Sequence, residues 1–153
     1  MNKTIVNKPD EPMFNAEAFK LSKKETDICT LARELGINKF AQRAYKFDNE
    51  ASFPVQNYDD LYESGLLAIC IPRENGGLGA TFKNYCLAAA EIGRYCGATA
   101  LTWNMHVCST LWTGDLADDL QMPKNIHLNH QKQREIHYER IIKEGAIYSQ
   151  PFS

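Results

Sequence analysis

The chain has 153 residues and a formal net charge of −2, with 17 lysine and arginine residues against 19 aspartate and glutamate residues. This near-neutral, interspersed charge favours neither a nucleic acid nor an anionic membrane as a partner. The five cysteines are odd in number and form no Cys-x-x-Cys pair, which argues against a disulfide framework and a thiolate zinc site. The length suits one domain with a sizeable core.

Residues 1–20 are predicted to form a flexible N-terminal tail. Residues 1–13 contain charged side chains and no hydrophobic signal core. The longest apolar stretch, 98–112, is too short to span a membrane and contains Asn104 and His106. We therefore expect no membrane insertion and a cytoplasmic location.

The next segment is predicted to contain two helices, about 22–35 and 39–48. Ser22 and Glu25 match a capping box at the first helix start. The apolar positions up to residue 35 share one face, whereas Phe40 and its neighbours fall on nearly the opposite face. Gly36 stands at this change of phase and favours a break. One helix packed on both sides is the alternative.

Residues 57–65 are predicted to form a short helix that Asn57 caps and Gly65 ends, followed by an extended apolar run over 66–71. Gly76, Gly77 and Gly79 come next, but their spacing matches neither a dinucleotide fingerprint nor a P-loop. We expect instead a tight crossing of backbone segments that only residues without Cβ can make.

The helix from residue 81 to 96 is predicted to be amphipathic and to end at Gly97. Two apolar stripes follow in 98–112, which is typical of a helix at the centre of a bundle. One stripe is Leu101, Met105, Cys108 and Trp112, and the other is Ala100, Trp103, Val107 and Leu111. The polar row between them needs hydrogen-bond partners or a ligand.

Residues 114–129 are predicted to be a loop, 131–144 a last helix, and 146–149 an extended tail. The predicted fold class is therefore an all-α helical bundle with a short extended C-terminal tail. His127, His130 and His137 would share a side of one continuous helix, but a solvated helix face is favoured over a zinc site, and no metal is predicted.

Several short motifs, in their order and separation, resemble the N-terminal helical domain of the acyl-CoA dehydrogenase family of flavoproteins. The matching pieces are Phe40-Ala41-Gln42-Arg43-Ala44, residues 48–54, Gly65-Leu66-Leu67, Ile71-Pro72, residues 76–80, residues 91–94 and Thr99-Ala100-Leu101. The resemblance implies a helical domain over 21–145 and the beginning of a β-domain at 146–153.

The family resemblance also implies sites and partners. Thr102, Trp103 and His106 would line the acyl pocket, and Ala146, Tyr148 and Ser149 would contact FAD. The implied reaction is α,β-dehydrogenation of an acyl-CoA thioester, with an electron-transfer partner and a homo-oligomer for the full-length enzyme. The catalytic base would be a glutamate of a later domain, so no catalytic residue is assigned and the chain alone is expected to be inactive and to retain little FAD.

Two alternatives stay open. A flavin-dependent monooxygenase of the same fold would suit Trp103 and His106 in the pocket, and the absence of a downstream Glu base would favour it. A non-catalytic helical interaction module would instead expose an apolar patch and associate without flavin.

Overall fold

Helices make up all the regular secondary structure of residues 11–12 and 14–149, which the computed structural model describes, and this confirms the predicted all-α fold. Within these residues the α-helices are α1 Lys23–Leu35, α2 Ala41–Asn49, α3 Val55–Glu63, α4 Phe82–Gly93, α5 Gly97–Thr113, α6 Asp115–Asp118 and α7 Lys124–Glu144. Residues 150–153, the end of the segment expected to begin a β-domain, lie outside the described residues.

Gly36–Phe40 form a single π-helical turn that joins α1 to α2 without a break. The predicted break is therefore wrong. The alternative of one helix packed on both sides agrees with the structure in its continuity but not in its packing. A π turn holds one residue more than an α turn and so rotates the following helix face by about 100°. This rotation brings Phe40 and Phe47 back to the side of Ile28 and Ala32, and all four are buried.

The predicted capping box is present at the start of α1. The backbone N–H of Glu25 donates to Ser22 Oγ at 3.3 Å, and the backbone N–H of Ser22 donates to Glu25 Oε2 at 2.8 Å. Two N–H groups that the helix cannot satisfy internally are thereby paired. The hydrogen bonds of Ser22 also lower the pKa of Glu25.

A buried polar network holds α5 against α2 and α3. Asn57 lies inside α3, so its predicted role as the helix cap is wrong. Its Nδ2 donates to Thr99 Oγ1 at 2.8 Å, and its Oδ1 accepts from Arg43 Nη1 at 3.0 Å. Arg43 also pairs with Asp60 at 2.6 Å, and Lys39 binds the same carboxylate. Each buried polar group of α3 is thus paired, which avoids the cost of an unsatisfied one.

The apolar run after α3 is buried but not extended. Gly65 follows the end of α3, as predicted, and has a left-handed backbone with φ of 79°. Leu66–Ala68 then form a 3₁₀ turn. The glycine loop folds back onto this segment, and a Cβ on Gly77 would lie 2.2 Å from the carbonyl oxygen of Ile71. The predicted tight crossing is therefore confirmed, since no side chain fits at Gly77.

Helices α4 and α5 form an antiparallel hairpin. Thr81 caps α4 by accepting a hydrogen bond from the backbone N–H of Asn84 at 3.3 Å. Helix α4 ends at Gly93, and Gly97 begins α5 rather than ending α4, which corrects the predicted boundary. Tyr85 of α4 packs edge-on against Trp103 of α5, with ring centroids 5.5 Å apart.

The predicted loop over 114–129 is largely helical. Helix α6 spans Asp115–Asp118, and α7 begins at Lys124, directly after Pro123. Proline is well suited to this place, because its fixed φ fits a helix start and its missing N–H is not needed there. Gly145 ends α7 with φ of 66°.

The described part of the predicted N-terminal tail contacts the helices. Phe14 is 9% exposed, and Arg94 Nη1 donates to the carbonyl oxygen of Glu11 at 2.5 Å. The boundary at residue 20 stays a prediction. None of the helices in the described ranges is long and apolar enough to cross a bilayer.

Candidate functional site

Helix α5 has one buried face and one exposed face. Trp103, Val107 and Leu111 are buried in the core, as the second predicted stripe requires. On the opposite face Leu101 is 68% exposed and Trp112 is 44% exposed. The prediction that both stripes are buried is therefore wrong for the first stripe. Because Gly97–Thr113 contains no Asp, Glu, Lys or Arg, this exposed face is also uncharged.

Trp103 is fully buried and packs against α4. Its ring packs against Tyr85, and its indole N–H has no hydrogen-bond partner among the described residues. Thr102 is half-buried and donates to the carbonyl oxygen of Ala98 at 2.9 Å. Of the residues predicted to line an acyl pocket, Thr102 is thus the one with a partly accessible side chain.

His106 is fully buried and links three segments of the fold. Its Nε2 lies 2.8 Å from the carbonyl oxygen of Leu67, and its Nδ1 accepts the backbone N–H of Tyr148 at 3.0 Å. A carbonyl oxygen can only accept, so Nε2 carries the proton and Nδ1 is left as the acceptor. Burial lowers the pKa of His106, while the Leu67 hydrogen bond raises it by less, so the neutral ring is favoured.

The C-terminal segment leaves α7 beside this histidine. The backbone N–H of Ala146 donates to the carbonyl oxygen of Arg140 at 3.2 Å, which completes the end of α7. The hydroxyl of Tyr148 lies 2.8 Å from Nδ1 of His137. Ser149, the last described residue, is exposed. The structure therefore joins one predicted acyl-side residue, His106, to one predicted flavin-side residue, Tyr148.

The cavities near these residues are small. One of about 150 Å³ lies between α5, α7 and the C-terminal segment, with Ser109, His137 and Tyr148 among its lining residues. The hydroxyls of Ser109, Thr110 and Thr113 donate to carbonyl oxygens of α5 itself, so their donor hydrogens are already used within the helix. A surface groove of about 670 Å³ lies elsewhere, between α2 and the turn from α4 to α5.

The three histidines of α7 do not converge on a metal site. His130 bonds the carbonyl oxygen of Thr113 at 2.8 Å, and His137 bonds Tyr148. Among the described residues no group of three or more His, Cys, Asp or Glu side chains could hold a metal ion.

The contacts of Leu67 and His137 were not predicted from the sequence. Leu67 contributes only its backbone carbonyl, and it is 39 positions from His106. No residue type or spacing marks such a contact, because every residue carries the same carbonyl group.

Comparison with known proteins identifies a family model and several relatives that are similar to the chain. The family model described as "Acyl-CoA dehydrogenase, N-terminal domain" matches residues 22–114, which includes all of α1 to α5. Similar proteins include a probable acyl-CoA dehydrogenase of Bacillus subtilis, 32% identical over 85 residues, which are 56% of this chain and 22% of the relative. A cyclohex-1-ene-1-carbonyl-CoA dehydrogenase of Syntrophus aciditrophicus is 33% identical over 82 residues, 54% of this chain and 20% of the relative.

A third relative extends further along the chain. An acryloyl-CoA reductase (NADH) of Anaerotignum propionicum is 27% identical over 130 residues, which are 84% of this chain and 30% of the relative. The chain thus spans between a fifth and a third of the length of these three relatives. The match to the family model covers more than half of the chain, and the helical fold agrees with it. The chain belongs to the acyl-CoA dehydrogenase family, whose N-terminal helical domain it contains.

Proposed function

We propose that the chain is the N-terminal helical part of an FAD-dependent oxidoreductase that dehydrogenates an acyl-CoA thioester between its α and β carbons. The observation that carries the proposal is the family match over 22–114, which ends with the uncharged helix α5. The names of the three relatives, all enzymes of CoA thioesters, support the same substrate class.

In this proposal the exposed face of α5 contacts the acyl group. Leu101 is strongly exposed, Met105 and Cys108 are half-buried, and no charge interrupts the face they share. An alkyl chain gains about 25 cal/mol for each Å² of apolar area removed from water there. Thr102 borders this face, while Trp103 and His106 form the buried layer behind it and set the position of α5.

The C-terminal segment contains groups that fit a flavin ring. The N–H groups of Ala146 and Tyr148 are already engaged within the chain, but the exposed Ser149 hydroxyl is accessible to a ligand. We assign to Ser149 one hydrogen bond to the flavin, and to Ala146 and Tyr148 contacts through their carbonyl oxygens. FAD, when bound, supplies the acceptor for the β-hydride.

No residue of the chain is assigned the proton-accepting role. The proposed acyl face carries no carboxylate, because α5 contains neither Asp nor Glu. A general base must lie within hydrogen-bond reach of the proton that it removes. We therefore propose that the chain alone does not turn over an acyl-CoA. We also propose that it retains little FAD.

A chimera tests this function. Residues 22–149 replace the equivalent segment of an active acyl-CoA dehydrogenase, and acyl-CoA thioesters of increasing chain length are added anaerobically. We expect the chimera to hold FAD and the flavin absorption band to bleach, whereas the 153-residue chain alone does neither. The unaltered parent enzyme is the positive control.

Three results would contradict the proposal. The first is a folded chimera that binds no flavin, and the second is a folded, flavin-containing chimera that no acyl-CoA reduces. The third is a preparation of the chain alone that is yellow and active. Consumption of oxygen with formation of a hydroxylated product would favour the monooxygenase alternative instead.

A further inference from the structure

The backbone of the C-terminal segment is held by a side chain from the middle of the bundle. The N–H of Tyr148 donates to Nδ1 of His106 at 3.0 Å, across 42 positions of sequence. This bond comes three residues after Gly145, which ends α7. The bond therefore fixes the direction of the backbone directly before Ser149.

The Leu67 carbonyl oxygen determines that Nδ1 of His106 is a hydrogen-bond acceptor. A neutral imidazole has one N–H and one acceptor nitrogen, so the two ring positions cannot both accept. The carbonyl oxygen of Leu67, 2.8 Å from Nε2, requires the proton on Nε2 and leaves Nδ1 free to accept. Leu67 is 2% exposed and His106 is fully buried, so the bond between them is shielded from water. The bond to the half-buried Tyr148 is partly shielded.

Two further contacts keep the tyrosine beside this histidine. The rings of His106 and Tyr148 lie with centroids 6.4 Å apart, and the Tyr148 hydroxyl lies 2.8 Å from Nδ1 of His137 on α7. Backbone and side chain of Tyr148 are therefore fixed separately, the first by α5 and the second by α7.

We propose that His106 is a positioning residue for the flavin-contact segment. Its Nδ1, kept as an acceptor by the Leu67 carbonyl, fixes the backbone of Tyr148 and so the direction in which Ser149 is presented. This inference rests on the proposed role of residues 146–149 in contacting the flavin.

Two substitutions separate the two bonds of the ring. His106→Asn places a carbonyl oxygen near the position of Nδ1, so it keeps the bond to the Tyr148 N–H and loses that to Leu67. His106→Gln extends an amide N–H toward Leu67 and loses the acceptor for Tyr148. Both variants are neutral and polar, so each is the control for the other.

The first measurement is made on the unmodified 153-residue chain. Nitrogen NMR of the imidazole should show the proton of His106 on Nε2, and hydrogen exchange should show a protected amide at position 148. In His106→Gln this amide should exchange about threefold to tenfold faster, which corresponds to one lost hydrogen bond. In His106→Asn its protection should be retained, and Tyr148→Phe, which removes only the hydroxyl contact, should also retain it.

The second measurement uses the chimera that holds FAD. His106→Gln should weaken FAD binding by about threefold to tenfold relative to the chimera with His106. His106→Asn should bind FAD with nearly the affinity of the chimera with His106. A merely structural histidine would not give this rescue, because both variants remove the same ring from the core.

Three results would overturn the proposal. These are an Nδ1-protonated ring, an unprotected amide at position 148 of the unmodified chain, and equal FAD affinity in the two variants. A chimera that binds no flavin contradicts the proposed function instead, and exchange at position 148 in the chain alone then still decides whether His106 fixes the backbone.

Discussion

Replacement of Trp103 by alanine should strongly destabilise the chain. The indole is fully buried and packs edge-on against Tyr85. Removing such a side chain from a core costs about 3–5 kcal/mol of the free energy of unfolding. Because small domains are stable by only about 5–15 kcal/mol, this is a large part of the total.

Replacement of Trp103 by phenylalanine should cost much less. The indole N–H has no hydrogen-bond partner among the described residues, and such a buried donor costs about 1–3 kcal/mol. Phenylalanine removes this donor and keeps an aromatic ring against Tyr85. We therefore expect a loss below about 2 kcal/mol, since the smaller ring leaves only part of the volume empty.

Urea unfolding followed by far-ultraviolet circular dichroism measures both changes. With a slope of about 2 kcal/mol per molar urea, Trp103→Ala should lower the midpoint by about 2 M. Trp112→Ala is the matched control, because Trp112 is 44% exposed and its loss should cost less than about 1 kcal/mol. Equal losses for the two alanine variants would refute the assignment of Trp103 to the core.

Three further changes test other parts of the fold. Gly77→Ala should prevent stable folding, because its Cβ would lie 2.2 Å from a backbone oxygen; a soluble variant with an unchanged unfolding midpoint would contradict this. Burial alone would raise the pKa of Asp60, but its bonds to Lys39 and Arg43 outweigh this and lower it. The stabilising contribution of the Asp60 carboxylate should therefore be present above its ordinary pKa of 3.8 and be lost as the pH falls through its pKa in the folded chain. In Asp60→Asn the free energy of unfolding should accordingly depend less on pH in this acidic range. Burial lowers the pKa of His106, so stability should begin to fall as the pH drops below the ordinary value of 6.5, and a pH-independent difference between the chain and His106→Asn would disprove this.

The exposed apolar surface of the chain bears on its behaviour in solution. Besides Leu101 and Trp112 on α5, Phe82 of α4 is 62% exposed, and Leu120 beyond α6 is 62% exposed. Large exposed apolar side chains mark interaction surfaces or an aggregation liability. In the proposed function part of this surface contacts the acyl group.

Local features were predictable from the sequence because their causes lie within a few residues. The capping box of Ser22 and Glu25 needs only two side chains three positions apart. The left-handed backbone of Gly65 after α3 and the close approach of Gly77 to the carbonyl oxygen of Ile71 are both possible because glycine has no Cβ. The family resemblance was likewise readable, since it depends on the order of short motifs.

Only the tertiary structure decided how these pieces meet. Periodicity could not show that a π turn keeps α1 and α2 continuous, because a one-residue insertion and a chain break shift the phase alike. Nor could it show which apolar stripe of α5 is buried, since that depends on which helices lie beside it. The histidine that holds the Tyr148 backbone was visible only as a polar residue on an apolar helix, because its partners are backbone groups that every residue possesses.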